Sequence, residues 1–362
     1  MTWFPGWVNI DSRAAVAVEI SSRRNGVFIN EKAMKCRPLG KTNLAVSEIG
    51  VGAWQLGGPL ALDGKADGHP DPGRDFSVRL IREAGEMGIN FVDTAEQYGS
   101  GESERRVGAA LEGRRDQWIL GTKFGNLVGP NGERVQDTSS ERVPVSLEGS
   151  LRRLRTDYID VYVYHTAPKP GEAEKVAGFL QKAKQEGKIR AIGISTNDLQ
   201  QIGHLHSLGC LDVVQYAKNM MDPQPELSEW VARHQAGGVV RGAFYAGRLS
   251  GRYFRQAPKF AADDVRSLRI RGDAGAEFAR YAAFEELLTP ERGMIQLALR
   301  YLLDDAATST IIPGGKSARD YREAIRATEL PPLTVDERER ISKLRELLLK
   351  PEIAMTASTQ AG

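Results

Sequence analysis

Asn90-Phe-Val-Asp-Thr-Ala-Glu-Gln-Tyr-Gly-Ser-Gly-Glu-Ser-Glu104 reads as a strand, a turn and the start of a helix. The β-type pair Phe91-Val92 ends on an acid, Asp93. A glycine-rich turn carrying Tyr98 follows, and Glu102 and Glu104 open a helical pattern from Arg105 to Leu111. A carboxylate and a phenol thus sit just past the carboxyl end of a strand. Parallel α/β proteins place their chemistry there, because a rigid scaffold holds the strand ends and their loops. Taken alone, the stretch also fits an ordinary strand–turn–helix with an N-capping acid.

Outward from it the chain alternates. Short apolar or β-branched runs occupy 49–54, 90–93, 118–122, 158–164, 191–195, 213–216, 239–241 and 310–312. Amphipathic stretches of helical period lie between them at 75–88, 102–111, 140–155, 172–186, 198–208, 226–235 and 290–303, and 318–328 follows the last run. Eight strands alternating with eight helices predict an α/β fold, a closed parallel (β/α)8 barrel of the TIM type, rather than two domains. Ser139 and Ser140 are candidate N-caps for the third helix, and Gly187 suits the C′ position of the fourth. Two segments, 59–74 and 247–288, break the rhythm. Both follow strands, so both are expected on the carboxyl-end face, and loops of such length are usually functional or disordered. Residues 335–349 read as a final helix and 350–362 as a tail. Residues 1–33 look unlike the rest and are expected to be a poorly ordered extension; 14–20 is too short, and too interrupted by Glu19, for a secretory signal.

Of the chain's 362 residues 41% are hydrophobic and 27% charged, the balance of a soluble globular protein. A formal net charge of +2 gives no sign of nucleic acid or an anionic membrane as partner. No apolar run is long enough to span a bilayer. The two cysteines, Cys36 and Cys210, are too few for a disulfide framework and lack metal spacing, which suits a reducing cytoplasm. His204 and His206 would point about 200° apart on a helix, a poor metal pair; no metal is expected.

Strand ends converge on one mouth of a barrel. The second supplies Asp93, the third Lys123, the fourth His165, the fifth Ser195, the sixth Gln215 and the seventh Arg241. Any one of these has a bland explanation, a solvated lysine or a packed histidine. A carboxylate, lysine, histidine and tyrosine together at one mouth are harder to explain so. No Gly-x-Gly-x-x-Gly fingerprint follows the first strand: Gly50-Val-Gly-Ala-Trp54 lacks the spacing and leads into a long loop.

Asp93-Thr94-Ala95, Tyr98-Gly99 and Gly101-Glu102-Ser103-Glu104 together resemble the active-site signature of the aldo-keto reductases. The resemblance runs from about Met34, where Met34-Lys-Cys-Arg-Pro-Leu-Gly40 resembles the family's usual start, to about Leu344. It implies a short hairpin over the barrel floor from residues 34–46. It also implies an NADP(H)-dependent oxidoreductase acting on a small carbonyl or alcohol, with Tyr98 as general acid/base, Lys123 and Asp93 tuning it, and His165 orienting the carbonyl. A carbonyl gaining a hydride needs a proton donor and a polarising hydrogen bond. A lysine ammonium is expected to lower the phenol's pKa. The cofactor would bind without a Rossmann domain. Ser195 and Gln215 match positions that hold the carboxamide, and Thr196 stands where Asn is frequent. Arg241 replaces the usual stacking aromatic, so that a guanidinium plane would stack. Gly247-Arg-Leu-Ser-Gly-Arg252 with Asp264-Val-Arg266 resembles the pyrophosphate strap, Arg252 and Arg266 being its cations. Ile312-Pro-Gly-Gly-Lys-Ser317 leads into a helix whose N-terminus favours phosphate, and Lys316 and Ser317 match positions that hold the 2′-phosphate. Asp320 stands where Gln is common, and Ala324 where Asn contacts adenine. The resemblance also puts Gly52, Trp54, Gly242, Phe244, Gly247, Gly314 and Glu323 against the cofactor. Trp54, the two long segments and the loop after Lys123 are expected to set the substrate. Two other functions fit a barrel: a Schiff-base aldolase with Lys123 as nucleophile, and a nucleotide-binding regulatory subunit. The presence of His165 favours the reductase.

Overall fold

The computed structural model describes residues 34–169, 171–270 and 272–350. The expectations for 1–33 and for the tail beyond Lys350 lie outside the described residues. Eight parallel strands form one sheet: Val51–Gly52, Phe91–Asp93, Ile119–Phe124, Ile159–Tyr164, Ile189–Ser195, Val213–Ala217, Gly237–Arg241 and Thr310–Ile311. Each pairs with its sequence neighbour, the helices crossing over between consecutive parallel strands. The first and last meet through a parallel bridge between Ile49 and Ile311. There the Gly50 amide donates to Ile311 O at 2.8 Å and the Ile311 amide to Glu48 O at 3.0 Å. The expected (β/α)8 barrel is therefore present. A hairpin of Cys36–Pro38 and Ala45–Ser47 precedes it.

Period two along the strands explains the site. Phe91, Ile119, Val161, Val163, Ala191, Val213 and Val239 form one buried cluster with Leu39, Leu44 and Val46 of the hairpin segment. That cluster is the barrel interior, stoppered by the hairpin. The alternate residues Val92, Leu120, Tyr162, Ile192, Val214 and Val240 belong to a second cluster shared with the surrounding helices. Side chains two apart face the same way. Continuing the inward row from Phe91, Ile119, Val163, Ala191, Val213 and Val239 by twos reaches Asp93, Lys123, His165, Ser195, Gln215 and Arg241. The row that fills the core ends at the mouth in polar groups.

The eight helices alternating with the strands are Arg74–Glu86, Glu102–Leu111, Arg142–Leu154, Ala173–Gln185, Leu199–Ser207, Pro225–His234, Met294–Leu303 and Ala318–Glu329. The third starts later than expected. Ser139 Oγ still accepts the Arg142 amide at 3.2 Å, serving the first turn from outside the helix. The seventh begins only at Met294, because residues 289–292 close a turn with paired Thr289–Arg292 backbone bonds. Val335–Leu349 forms the final helix, capped at Thr334 by reciprocal bonds with Glu337. No described helix is long and apolar enough to cross a membrane.

Candidate active site

Lys123 is fully buried, and Asp93 is nearly so. The lysine Nζ donates to Asp93 Oδ2 at 2.6 Å, to Thr94 O at 2.8 Å and to Tyr98 Oη at 3.2 Å. Three acceptors satisfy an ammonium's three protons. Burial alone would discharge the lysine, but Asp93 and Tyr98 outweigh it and raise its pKa. Removing either member of such a buried pair costs about 3–5 kcal/mol. Gln215 Nε2 donates to the other Asp93 oxygen at 2.7 Å, and Ser195 Oγ donates to Gln215 Oε1 at 2.9 Å. One chain of bonds thus links five strand-end groups from Tyr98 to Ser195.

The turn holding Tyr98 is built by its neighbours. Thr94 Oγ1 donates to Ser103 Oγ at 2.8 Å, and Ser103 Oγ donates to Ala53 O at 2.8 Å. Gly99 has φ +57, and any Cβ there would collide with the Gly57 carbonyl. His165 follows the fourth strand, its amide donating to Phe124 O at 2.8 Å. Its ring meets the Tyr98 ring edge-on, with centroids 5.6 Å apart.

Lys123 lowers the phenol's pKa, as expected of it, but it is not the largest influence on Tyr98. Burial raises the phenol's pKa, and the opposing pull of Lys123 does not reverse it. Desolvation of the half-buried phenol outweighs a single ammonium that is already paired with Asp93. Tyr98 is therefore protonated throughout the neutral range. His165 is driven well below the ordinary imidazole range by burial, then by Lys123, Arg241 and Arg134, so its ring is neutral.

The two long segments meet over the mouth. Residues 59–74 contain a small hairpin, Ala61–Leu62 with Lys65–Ala66, and the loop after Lys123 contains another, Asn126–Val128 with Arg134–Gln136. They join where the Arg134 amide donates to Asp63 at 3.0 Å and the Arg134 guanidinium pairs with Asp67 at 3.1 Å. The first loop joins the seventh where the Val265 amide donates to Gly68 O at 3.0 Å and His69 Nδ1 lies 3.5 Å from Asp264. Trp54 packs against His69, ring centroids 4.9 Å apart, and donates to Asp67 O. Burial, then Lys316 and Arg266 working against Asp264, push His69 down to about 4. Asp67, His69 and Arg134 have no signal of their own in the sequence, because loop-to-loop pairing leaves no periodicity.

The phosphate-side residues converge on the start of helix Ala318–Glu329. Ser317 caps it, its Oγ accepting the Asp320 amide at 3.2 Å. Asp320 faces this site: Oδ2 accepts the Lys316 amide at 2.8 Å, and Oδ1 lies 3.2 Å from the Arg252 guanidinium. Arg266 is bound through both arms by Asp264, at 2.9 and 2.5 Å, and lies over the Phe260 ring. Burial and then Arg266 lower the pKa of Lys316. Gly314 packs against Gln55, and Glu323 accepts from Gln296 at 2.9 Å. Thr196 Oγ1 accepts the Asp198 amide at 3.1 Å, while Asn197 is bound twice to the Ala217 backbone at 2.8 Å. Neither side chain points freely at the mouth. Gly242 and Gly247 take positive φ of +72 and +95 at the base of the seventh loop, on either side of Phe244. Gly52 lies on the first strand close to Ile312 O.

A nicotinamide dinucleotide fits this donor set. An amide and a hydroxyl beside Asp93 suit a carboxamide, and two cations with a capped helix N-terminus suit phosphates. Among the described residues no cluster of His, Cys, Asp and Glu could hold a metal.

The sequence model described as the Aldo/keto reductase family matches residues 48–346, and the chain belongs to that family of oxidoreductases. An NADH-specific methylglyoxal reductase of Escherichia coli is 37% identical over 221 residues, covering 57% of this chain and 65% of its own. L-Galactose dehydrogenase of Arabidopsis thaliana is 31% identical over 342 residues, covering 88% of this chain and 95% of its own. The solved holo form of aldo-keto reductase AKR11C1 from Bacillus halodurans superimposes with a TM-score of 0.70 at 31% identity, over 86% of this chain and 96% of that one.

Proposed function

We propose that the protein is an NADP(H)-dependent reductase of a small aldehyde or ketone, or a dehydrogenase of the matching alcohol. The observation that carries this is the Lys123 ammonium, shared at 2.6, 2.8 and 3.2 Å among Asp93, Thr94 O and the Tyr98 phenol. When bound, the nicotinamide supplies or accepts the hydride; Ser195, Gln215 and Arg241 would hold it, with Thr196 close by.

The chain's own residues handle the proton. Tyr98, protonated at neutral pH, donates to the carbonyl oxygen as negative charge builds there. Lys123 stabilises the phenolate left behind, and Asp93 keeps the lysine charged and oriented. His165, neutral, offers a ring N–H to the same oxygen. General acids of this kind contribute about 10²–10⁴-fold. The ion pair speaks against a Schiff-base aldolase, which needs Lys123 deprotonated. A regulatory role would leave the tetrad without a purpose.

For the cofactor's far end, Lys316, Ser317 and Arg252 support NADPH. Asp320 occupies the same donors, so the preference over NADH is narrow. The polar mouth of Trp54, Asp67, His69, Asn126 and Arg134 suits a small oxygenated carbonyl. The names of two relatives, a methylglyoxal reductase and a galactose dehydrogenase, point the same way. The test is NADPH and NADH oxidation with methylglyoxal, glyceraldehyde, p-nitrobenzaldehyde and a set of ketones and sugars. Turnover lost in Tyr98→Phe supports the reading; no turnover of any carbonyl with either cofactor refutes it.

A further inference from the structure

Glu96 is a buried carboxylate that the mechanism above does not use. It lies two residues before Tyr98, in the same turn, and is 7% exposed. Its amide donates to Lys123 O at 3.1 Å. Its side chain reaches past Phe124, where Oε1 accepts the Gly125 amide at 3.0 Å and Ser146 Oγ–H at 3.2 Å. Backbone and side chain of one residue therefore grip the end of the Lys123 strand on both sides of Phe124. The phenol-to-ammonium contact, at 3.2 Å, is the longest of the three that Lys123 makes. It is the one most sensitive to movement of this turn.

We propose that Glu96 is a positioning residue for proton delivery: it pins the Tyr98 turn to the end of the Lys123 strand, more tightly as a carboxylate than as a neutral acid. Hydrogen bonds to an ionised acceptor are roughly twice as strong as those to a neutral one. Both bonds fall on Oε1, which leaves Oε2 free to take a proton, although the Arg153 guanidinium 3.9 Å away favours its ionised form. The groups facing it come from every packed element. Helix Glu102–Leu111 supplies Glu104, which is itself held by Arg153 at 2.5 Å and Thr122 at 2.7 Å. Helix Arg142–Leu154 supplies Arg142, Ser146 and Arg153, and the fourth strand supplies Tyr162, whose hydroxyl has no partner among the described residues. Burial, opposed by the Gly125 bond and reinforced by Glu104, pushes Glu96 up to about 7. The grip thus changes strength through neutral pH.

This inference rests on the reductase reading, and the experiment separates the two. The full chain is assayed with NADPH and p-nitrobenzaldehyde through neutral pH. Wild-type kcat rises with pH as Glu96 ionises. Glu96→Gln keeps an acceptor for Gly125 without the charge, so its kcat is flat across this range. On the alkaline side it is about three- to tenfold below wild type, the difference between a charged and a neutral hydrogen bond. KM for the aldehyde and NADPH affinity stay within about twofold, as expected for interactions made only in the transition state. Ser146→Ala removes one bond to the carboxylate and moves the wild-type limb to higher pH. If Glu96→Gln does not fold, Ser146→Ala decides alone. A limb that persists in Glu96→Gln, losses of kcat matched in KM and NADPH affinity, or a limb unmoved in Ser146→Ala overturns the role of Glu96 while leaving the reductase intact. Absence of wild-type turnover overturns both.

Discussion

Asp320→Asn is the sharpest perturbation of the cofactor site. In the structure its carboxylate accepts the Lys316 amide at 2.8 Å and sits 3.2 Å from Arg252, so it already engages donors a 2′-phosphate would need. A bound phosphate, with charge approaching −2, must displace or share these donors and also bear the repulsion of the carboxylate. A charged hydrogen bond is worth about 1.5–3 kcal/mol, and partial exposure screens the repulsion, so the net penalty is about 1.5 kcal/mol. Asparagine keeps the shape, removes the charge and tightens NADPH by roughly tenfold. NADH, lacking the phosphate, changes less than about twofold by the same reasoning. An acid in the first helical turn contributes about 0.3–1 kcal/mol through the helix dipole, so the melting temperature falls slightly. Lys316→Ala is the opposite arm: NADPH weakens by about 1.5 kcal/mol, with Arg252 limiting the loss, and NADH is spared. Titration of both cofactors by quenching of intrinsic fluorescence measures the four affinities. Equal shifts for NADPH and NADH, or an unchanged NADPH affinity in Asp320→Asn, would refute the reasoning.

Tyr98→Phe should lose at least about a hundredfold in kcat while still binding NADPH; turnover within a few-fold of wild type rules out the phenol as proton donor. Because burial raises the pKa of Tyr98, carbonyl reduction should hold until strongly alkaline pH, whereas alcohol oxidation, which needs the phenolate, should climb with alkalinity; an oxidation rate that peaks below neutrality contradicts this. The folded chain binds the Glu96 proton more tightly than the unfolded chain, so Glu96 lowers stability as pH rises from its ordinary value of 4.5 to about 7. Denaturant unfolding should show wild type falling behind Glu96→Gln by about 3 kcal/mol across that window and no further above it; a constant difference would mean Glu96 does not titrate there.

The barrel was legible because its strands carry period two and its helices period 3.6, so eight alternations could be counted. The candidate site was legible because that same period two places Asp93, Lys123, His165, Ser195, Gln215 and Arg241 at the inward ends of strands. What lies between loops was not. The pairing of Arg134 with Asp67, and of His69 with Asp264, joins residues far apart in sequence with no repeat to betray them. The orientation of Asp320 was equally hidden: sequence placed it in the first turn of the helix, and only the fold shows that its carboxylate turns back onto Lys316. The sign of the Tyr98 shift depends on enclosure, which a list of neighbours does not contain.

Burial acts on four groups at this site, with results set by what each touches. It holds the phenol of Tyr98 protonated and the ring of His165 neutral, which are the forms a proton donor and a hydrogen-bond donor need. It fails to discharge Lys123 because Asp93 and Tyr98 face it. It lifts Glu96 to about 7 because two hydrogen bonds on one oxygen, with Arg142 nearby, do not offset desolvation and Glu104. The first three outcomes leave an ion pair poised beside a protonated acid, a state that needs no rearrangement of charge before the proton moves. The fourth places a titrating carboxylate in the turn that carries the acid. Desolvation is uniform in kind and differs in effect only through partners, so in the proposed reaction the positions that choose those partners, Asp93, Gly125 and Glu104 among them, would govern the chemistry without touching the carbonyl.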